Sequence, residues 1–552
     1  MTQLAGLAPD MLDMVVSTLR DVMAKHLPDE RMIELDQNDE FPTALVEELV
    51  SPDVGMHLLF LPEEVGGLGG GARDICRVSE EMALVDLGVA TAFLAIFLGT
   101  EPLLMGGTAE QKVKWLSPVA EEGWIVAYCV TEPEAGSNVA SLKTTAERVL
   151  DDDGNVVAYK LNGTKQFITN GSVARLYTIM ARAPEGPSFF VVEAGVPGLS
   201  AGKKEDKHGI RASNTTSVIL EDVVVPVENL IGGVEGEGLK QGSAVFGHTR
   251  LMVGAFGLGG GRGAIERALK YARERIQFGT PLIEKEGYAL KLLVPHVVDL
   301  YAGSAYLDEI ARRLDDGETG LEVEGAIAKL WATEAGNRAA DAAVQAHGGY
   351  GYMKEYIVEK IRRDVRITNI YEGTSEILQS IVGMHRWKAH VRSRGAFYGD
   401  IAASLDAVHA EHSDVGADLV AAAARSLANV IDHGHRHKMP RHQIALFAWA
   451  DMATRVEVAD AFCRLAATLR TDGNDEAARK VVMSRIFARE TLRNVSAMGR
   501  QCAVGFTEPG DEQGIEDARA LLDELAQGED PKITVGEWLD MAEVAKHWQE
   551  GA

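Results

Sequence analysis

The chain has 552 residues, of which 46% are hydrophobic, 25% charged and 6% aromatic. This usage is typical of globular proteins, and at about 150 residues per domain the length predicts three to four structural units. The 55 Lys and Arg residues against 82 Asp and Glu residues give a formal net charge of −27, which repels a phosphate backbone. Composition therefore argues against a disordered chain and against a nucleic-acid partner.

Neither disulfides nor targeting signals are indicated. Cys76, Cys129, Cys463 and Cys502 are far apart and form no CxxC pattern, so the spacing favours neither a disulfide framework nor a structural zinc site. The first 15 residues, MTQLAGLAPDMLDMV, contain acidic residues and no basic stretch followed by an apolar core, so we expect a cytoplasmic protein without a secretory signal. The most apolar stretch, residues 90–99, is shorter than the roughly 20 residues that cross a bilayer and is predicted to be a buried helix.

Hydrophobic periodicity divides the chain into four predicted domains. Apolar residues recur three and four positions apart over residues 1–124, which predicts a helical N-terminal domain. Short β-rich runs separated by Gly, Pro and Asn predict a middle β domain over residues 125–235. Helical periodicity returns over 236–390, and Ala-rich amphipathic segments predict an additional helical domain over 391–552. The sequence thus predicts a mostly α fold with a central β domain.

Two segments suggest other sites. Residues 257–263 read GLGGGRG, but no strand precedes them and no Lys-Ser/Thr follows, so we expect glycines that let helices pack closely rather than a nucleotide loop. His433, His435, His437 and His442 could bind a metal. Since no carboxylate or Cys stands at ligand spacing, we expect no metal site there and favour a solvated loop between helices of the tail.

Three separated segments carry unusual local sequence. Residues 128–138, YCVTEPEAGSN, and residues 160–171, KLNGTKQFITNG, place hydroxyl groups beside glycines in the β domain. Such turns suit a flat heteroaromatic ring with phosphates, although ordinary turns explain them as well. Residues 273–281, RERIQFGTP, offer an Arg and a Phe that could bind phosphate and stack on a base, or could simply end a helix.

The third segment contains a candidate base. Residues 345–352, QAHGGYGY, precede residues 370–376, IYEGTSE, which join two apolar helices. Glu372 is therefore expected at an inter-helix turn with apolar surroundings, where a carboxylate can act as a general base. The alternative is that Glu372 is an acid at the N-cap of the following helix.

Taken together, these motifs resemble one protein family in order and spacing. YCVTEPEAGSN and QAHGGYGYMKEYIVEKIRRD resemble the two signature regions of the acyl-CoA dehydrogenase family, and KHGIRASNTTSVILEDVVVPVENLIG resembles its exit from the β domain. The resemblance covers about residues 28–387. It implies a helical N-terminal domain, a β-barrel middle domain and a four-helix bundle around non-covalent FAD. The tail is similar in layout to the extra helical domain of very-long-chain members.

The resemblance also assigns residues to the cofactor. Its own-chain flavin contacts fall on Tyr128, Val130, Thr131, Gly136, Ser137, Phe167, Ile168, Thr169, Thr374 and Glu376. Its contacts from a neighbouring subunit to the FAD phosphates and adenine fall on Arg275, Phe278, Gln345, Gly348 and Gly349. A site shared between subunits implies a homo-oligomer, for which a dimer is favoured over a tetramer.

The implied reaction is dehydrogenation of an acyl-CoA to the trans-2-enoyl-CoA, with electrons passed to electron-transferring flavoprotein. Glu372 matches the family base, and its acyl-CoA contacts fall on Ser137, Thr249, Arg250, Tyr371 and Gly373. By the same resemblance, the helix that contains residues 92–98 forms the floor of the acyl pocket. These residues include no cation, which favours a saturated, uncharged acyl chain.

Two other functions remain open at this point. An acyl-CoA oxidase would reoxidise the flavin with oxygen. A non-catalytic scaffold would bind FAD and acyl-CoA without dehydrogenating the acyl chain. The tail shows no long basic amphipathic face, so membrane association is not expected.

Overall fold

The computed structural model describes residues 6–505 and 512–549, which form two compact units. The first unit contains residues 1–263, 311–322 and 353–372, and the second contains 264–310, 323–352 and 373–552. The predicted domains 1–124 and 391–552 also include residues 1–5, 506–511 and 550–552, which lie outside the described residues. The division into four domains stays a prediction.

The elements follow the order that periodicity predicts: helices, then a sheet, then helices. The first helices are α1 Pro9–His26, α2 Asp29–Asn38, α3 Thr43–Leu49, α4 Ala72–Val85, α5 Leu87–Gly106 and α6 Ala109–Glu122. The strands are β1 Val126–Cys129, β2 Thr145–Leu150, β3 Val156–Thr169, β4 Leu176–Ala183, β5 Gly186–Glu193, β6 Leu199–Ala201 and β7 Thr215–Pro226. After them come α7 Gly238–Glu274, the hairpin strands β8 Ile276–Gln277 and β9 Thr280–Pro281, and then α8 Glu286–Leu292, α9 Val294–Asp315, α10 Glu322–His347, α11 Ile357–Val365 and α12 Ser375–Arg392. The remaining helices are α13 Ala396–Glu411, α14 Ala417–Arg436, α15 Gln443–Thr471, α16 Ala477–Gly505, α17 Glu512–Glu524 and α18 Pro531–Gln549. The predicted mostly α fold with a central β domain is confirmed.

The first seven strands form one mixed sheet in the first unit. Its order is β1-β4-β2-β3-β7-β6, and β5 pairs with β4. β1 runs parallel to β4, whereas β3 pairs antiparallel with β7 from Ala158↔Pro226 to Thr169↔Thr215. Buried side chains such as Tyr159 and Phe190, whose rings lie 5.0 Å apart, form the core of the sheet. Tyr128 stands near the end of β1 and Phe167 to Thr169 at the end of β3, so the sheet holds both segments, residues 128–138 and 160–171, that are predicted to contact the flavin.

Helix α5 is the core helix predicted for residues 90–99. Its N-cap is Asp86, whose carboxylate accepts a hydrogen bond from the Val89 N–H at 3.0 Å. Within the described residues it is the one helix long and apolar enough to span a bilayer, and 89% of its most apolar 18-residue window is buried inside the protein. The helix is 20 residues long, so the expectation that this stretch is too short to cross a bilayer is wrong, but its burial confirms the predicted buried helix.

The glycines of residues 257–263 lie inside α7, as predicted. A Cβ on Gly259 would stand 2.2 Å from the Glu80 carbonyl oxygen, and one on Gly260 would stand 2.5 Å from Val365. Both contacts are too close for any larger residue, so these glycines allow α7 to pack tightly in the first unit.

In the second unit, the tail helices pack directly on α12. A Cβ on Gly383 would lie 2.2 Å from the Leu446 carbonyl oxygen of α15, and Arg386 of α12 donates to Glu457 of α15 at 2.7 and 2.8 Å. The solvated loop predicted for the four histidines is correct in part: residues 437–442 separate α14 from α15, and His442 there is exposed, but His433 lies inside α14 and is only 2% exposed. The apolar periodicity of α14 simply continues for one more turn.

Candidate active site

Glu372 lies in the turn between the short 3-10 helix Arg366–Asn369 and α12. Its φ is +56°, and Gly373 follows with φ +100°. A left-handed φ costs a residue with a side chain about 1–2 kcal/mol, and such strain often marks a functional site. The N-cap of α12 is Thr374, whose hydroxyl accepts a hydrogen bond from the Ile377 N–H at 3.4 Å. The alternative that Glu372 caps this helix is therefore wrong.

The Glu372 carboxylate meets a hydroxyl from α7. Thr249 Oγ1 lies 3.0 Å from Glu372 Oε2 and 3.2 Å from the Val245 carbonyl oxygen. The Thr249 side chain is fully buried, and 123 positions separate it from Glu372 in the sequence. A threonine hydroxyl from α7 is thus a hydrogen-bond donor to the carboxylate.

Three further polar groups are influenced by Glu372. Burial lowers the pKa of Arg250, and the negative charges of Glu372 and Glu322 partly offset this effect. Burial also raises the pKa of Tyr128 well above its usual value, and the Glu372 charge raises it further. The pKa of Tyr371 is raised mainly by burial, again with a contribution from Glu372. Both phenols therefore remain neutral, and Arg250 remains charged, because guanidinium groups keep their proton in proteins. We call Glu372, Thr249, Arg250, Tyr128 and Tyr371 the carboxylate cluster.

A buried ion pair joins the two segments of the β domain that are predicted to contact the flavin. Lys165 Nζ lies 2.7 Å from Glu132 Oε1 and donates to the Val130 carbonyl oxygen at 3.2 Å. In addition, the Gln166 N–H donates to the Thr131 carbonyl oxygen at 2.8 Å. These contacts bring residues 128–137 next to residues 165–169.

The joined segments expose groups that suit a flat aromatic ligand. A Cβ on Gly136 would meet no atom within 4 Å, and Ser137 beside it is exposed. Phe167 is 65% exposed with φ +58°, whereas Ile168 is buried and Thr169 is half-buried. An exposed aromatic ring next to hydroxyl groups and an open glycine fits the isoalloxazine system of FAD. The hydroxyl of Tyr128 is buried without a hydrogen-bond partner in the described residues.

The residues assigned to the FAD of a neighbouring subunit lie in the second unit. Phe278, at the tip of the β8–β9 hairpin, is 97% exposed with φ +52°. The Arg275 guanidinium lies 5.5 Å from the centre of the Tyr350 ring, within cation–π distance. Gly348 and Gly349, which precede Tyr350, have accessible backbone, because a Cβ at either position would meet no atom within 4 Å. Gln345 is exposed at the end of α10.

Sequence reasoning missed two fully buried lysines, Lys165 and Lys329. The ammonium of Lys329, on α10, donates to the Gly373 carbonyl oxygen at 2.8 Å. From the same helix, Glu334 accepts a hydrogen bond from the Ser375 hydroxyl at 2.6 Å. A single lysine within the apolar run GAIAKLWA was the available signal for Lys329, because a cation on a buried helix face needs a specific partner.

The chain matches models of three domains of one family. These are the acyl-CoA dehydrogenase N-terminal domain over residues 9–123, the middle domain over 127–223 and the C-terminal domain over 236–386. A relative from Bacillus subtilis, named acyl-CoA dehydrogenase, is 36% identical over an alignment of 399 residues, and the match covers 67% of this chain and 97% of that protein. The caffeyl-CoA reductase-Etf complex subunit CarC of Acetobacterium woodii is 35% identical over an alignment of 376 residues, and the match covers 67% of this chain and 96% of that protein.

A solved structure extends the likeness through the tail. The acyl-CoA dehydrogenase of Bacillus anthracis, complexed with FAD, has a TM-score of 0.82 and 23% identity, and the match covers 99% of this chain and 97% of that one. This likeness concerns the fold, and it includes the helices after α12. The domain matches and the identity to the relatives show that the chain belongs to the acyl-CoA dehydrogenase family, oxidoreductases that act on CH–CH groups and use FAD.

Proposed function

We propose that this protein converts a saturated acyl-CoA to the trans-2-enoyl-CoA, with Glu372 as the base that removes the α-proton. The observation that carries the proposal is the strained Glu372 turn, which holds a carboxylate 3.0 Å from the buried Thr249 hydroxyl and close to Arg250. The backbone strain and the hydrogen-bonded carboxylate support a role for Glu372 in proton transfer rather than in stabilising the fold.

The FAD that the family uses fits the residues present. We assign its flavin ring to the joined β segments around Gly136, Ser137 and Phe167, whose exposure leaves room for it. Val130, Thr131, Ile168, Thr169, Thr374 and Glu376 are assigned to the same chain's FAD by the family resemblance. Bound at these residues, FAD would supply the hydride acceptor for the β-carbon, which is chemistry that side chains do not supply.

The chain's own residues act on the α-carbon. The α-hydrogen of a thioester is weakly acidic, so its removal requires donors at the thioester carbonyl, where negative charge develops. We assign the backbone N–H of Glu372 to this role, and one such donor typically lowers the barrier by roughly 3 kcal/mol. Tyr371 and Gly373 flank the base in sequence, so we assign both to the acyl thioester.

Arg250 and helix α5 support an anionic ligand with an apolar acyl chain. In a chain of net charge −27, an anionic CoA requires a local cation, and we assign this role to Arg250. We also assign the Ser137 hydroxyl to the CoA as a neutral contact. Residues 92–97 of α5 are buried and contain no cation, which favours an acyl chain without a terminal carboxylate.

The electron acceptor and the oligomeric state are also proposed. A relative with 35% identity is a subunit of a complex with Etf, which supports electron-transferring flavoprotein as the acceptor. We further propose a homodimer, in which Arg275, Phe278, Gln345, Gly348 and Gly349 contact the partner's FAD. The 97% exposure of Phe278 fits a residue that contacts another subunit.

The decisive variant is Glu372→Gln, which keeps the size of the side chain and removes its basicity. We expect normal FAD content and a normal melting temperature, with turnover reduced by roughly 10² to 10⁴, the usual contribution of a general base. Glu355→Gln, which changes an exposed carboxylate of the neighbouring segment, is the matched control and should keep full turnover. Near-normal turnover in Glu372→Gln would refute the assignment.

One titration separates the proposed function from its alternatives. Saturated acyl-CoAs from butyryl-CoA to palmitoyl-CoA are added to the holoenzyme without oxygen, and the flavin absorbance is followed. Loss of the yellow colour identifies an enzyme, and the chain length with the fastest loss identifies the substrate class. No loss with any acyl-CoA would favour the binding scaffold, and fast peroxide formation on admitting air would favour the oxidase.

A further inference from the structure

A buried cation holds the turn that follows Glu372. Lys329 is fully buried, and its Nζ lies 2.8 Å from the Gly373 carbonyl oxygen. Removing an ammonium group from water is unfavourable unless it finds hydrogen-bond acceptors, and an apolar side chain of similar size would usually fill such a position at less cost. The Gly373 carbonyl is an acceptor that favours a lysine over an apolar side chain at this buried position.

The backbone at this turn requires support. Glu372 and Gly373 have consecutive positive φ values of +56° and +100°. Strained conformations persist only where the surroundings hold them. Helix α10 supplies two contacts to this turn within the second unit: Lys329 to the Gly373 carbonyl and Glu334 to the Ser375 hydroxyl at 2.6 Å. The two side chains are five positions apart on one helix, so α10 fixes residues 373–375 at two points.

We propose that Lys329 is a positioning residue for the base: by holding the Gly373 carbonyl, it keeps the preceding Glu372 in the left-handed conformation that directs its carboxylate. The inference rests on the proposed function, in which Glu372 removes the α-proton. The Gly373 carbonyl belongs to the peptide that joins Gly373 to Thr374, and Gly373 is bonded directly to Glu372. Displacement of this carbonyl would therefore shift the chain at Gly373 and, through it, the adjoining Glu372. Proton transfer depends steeply on distance and direction, which makes the rate, rather than substrate binding, sensitive to Lys329.

The test compares Lys329→Met, Lys329→Gln and Lys329→Arg. Met removes the charge and the donor at similar length, Gln is too short to reach the carbonyl, and Arg keeps a charged donor. Lys480→Met is the matched control, because Lys480 is a buried lysine of the same unit whose ammonium lies over the Tyr301 ring. Each holoenzyme is measured for FAD content, melting temperature, kcat and KM with the best substrate of the titration, and with the same acyl-CoA deuterated at the α-carbon.

We expect Lys329→Met and Lys329→Gln to lower kcat by roughly 10- to 100-fold, the range that a misplacement of about 1 Å produces, while KM and FAD content change less than about 2-fold. The α-deuterium isotope effect on kcat should rise, since proton removal becomes slower than the other steps. Lys329→Arg should recover part of kcat, and the Lys480→Met control should keep the normal isotope effect.

Three outcomes would overturn the proposal. One is an unchanged kcat and isotope effect in folded Lys329→Met. Another is a loss of activity that follows loss of FAD and leaves the isotope effect unchanged. The third is failure of both Met and Gln variants to fold, which would assign Lys329 to stability instead. Failure of the proposed function is distinct, because it would appear as active Glu372→Gln whatever the Lys329 variants do.

Discussion

The buried pair of Lys165 and Glu132 allows a quantitative test of how the β domain is held. The two side chains are 0% and 4% exposed, and their charged atoms lie 2.7 Å apart. Lys165→Met would leave the Glu132 carboxylate with the backbone N–H groups of Lys143 and Thr144, at 2.6 and 3.1 Å. Removing one partner of a buried ion pair typically costs about 3–5 kcal/mol. Because two backbone donors remain, we expect the lower end, about 3 kcal/mol.

This loss should appear as a lower melting temperature. At about 2–4 °C per kcal/mol for a domain of 150–250 residues, the expected decrease is about 6–12 °C. Thermal unfolding of the holoenzyme, followed by circular dichroism and by flavin fluorescence, measures it. FAD content should also fall, since Lys165, through Val130, joins the two segments that are predicted to contact the flavin.

Two further variants control this experiment. Lys160→Met changes a lysine of the same strand that pairs with Glu147 at 3.4 Å on the surface, and it should cost less than about 1 kcal/mol. The double variant Lys165→Met with Glu132→Gln removes both charges and should be more stable than Lys165→Met alone. A melting temperature of Lys165→Met equal to that of Lys160→Met, or a double variant no better than the single one, would refute the reasoning.

The remaining predictions concern pH and the cofactor. Burial, with the negative charges of Asp299 and Glu537, raises the pKa of Glu490 to about 7. The folded protein then retains a proton that the unfolded chain releases near its usual pKa of about 4.3, so the free energy of unfolding should fall as pH rises from about 4.3 to 7. Glu490→Gln should reduce this fall, visible as a smaller difference in melting temperature between pH 5 and pH 8; an unchanged difference would contradict the pKa shift. Gly136→Val adds a side chain where a Cβ meets no atom within 4 Å, so the apoprotein should melt normally while FAD binding weakens at least tenfold (about 1.4 kcal/mol) in a flavin titration. Normal FAD affinity would place the flavin elsewhere.

The sequence by itself determined the order of elements and several local features. Periodicity of 3.6 and 2 residues is set by nearest neighbours along the chain, so the helices, the sheet and the helical tail were predictable. The glycines of residues 257–263 were correctly predicted to allow close helix packing, because their upstream sequence is helical. Glu372 was correctly expected at a turn between helical segments, since Gly373 and Thr374 interrupt the apolar pattern there. The expected apolar surroundings are wrong, because the Thr249 hydroxyl lies 3.0 Å from the carboxylate. Family resemblance then supplied the candidate roles.

Only the tertiary structure decided what surrounds these residues. Thr249 meets Glu372 across 123 positions of sequence, Lys329 meets Gly373 across 44, and Lys165 meets Glu132 across 33. No local pattern encodes such pairs, because a hydrogen bond depends on which helix faces or strand ends are brought together by packing. The same reason explains the error at His433, whose burial depends on the helices packed around it rather than on its polar neighbours in sequence. Local sequence determines which segments form helices and strands, whereas tertiary packing determines which groups each charged side chain contacts.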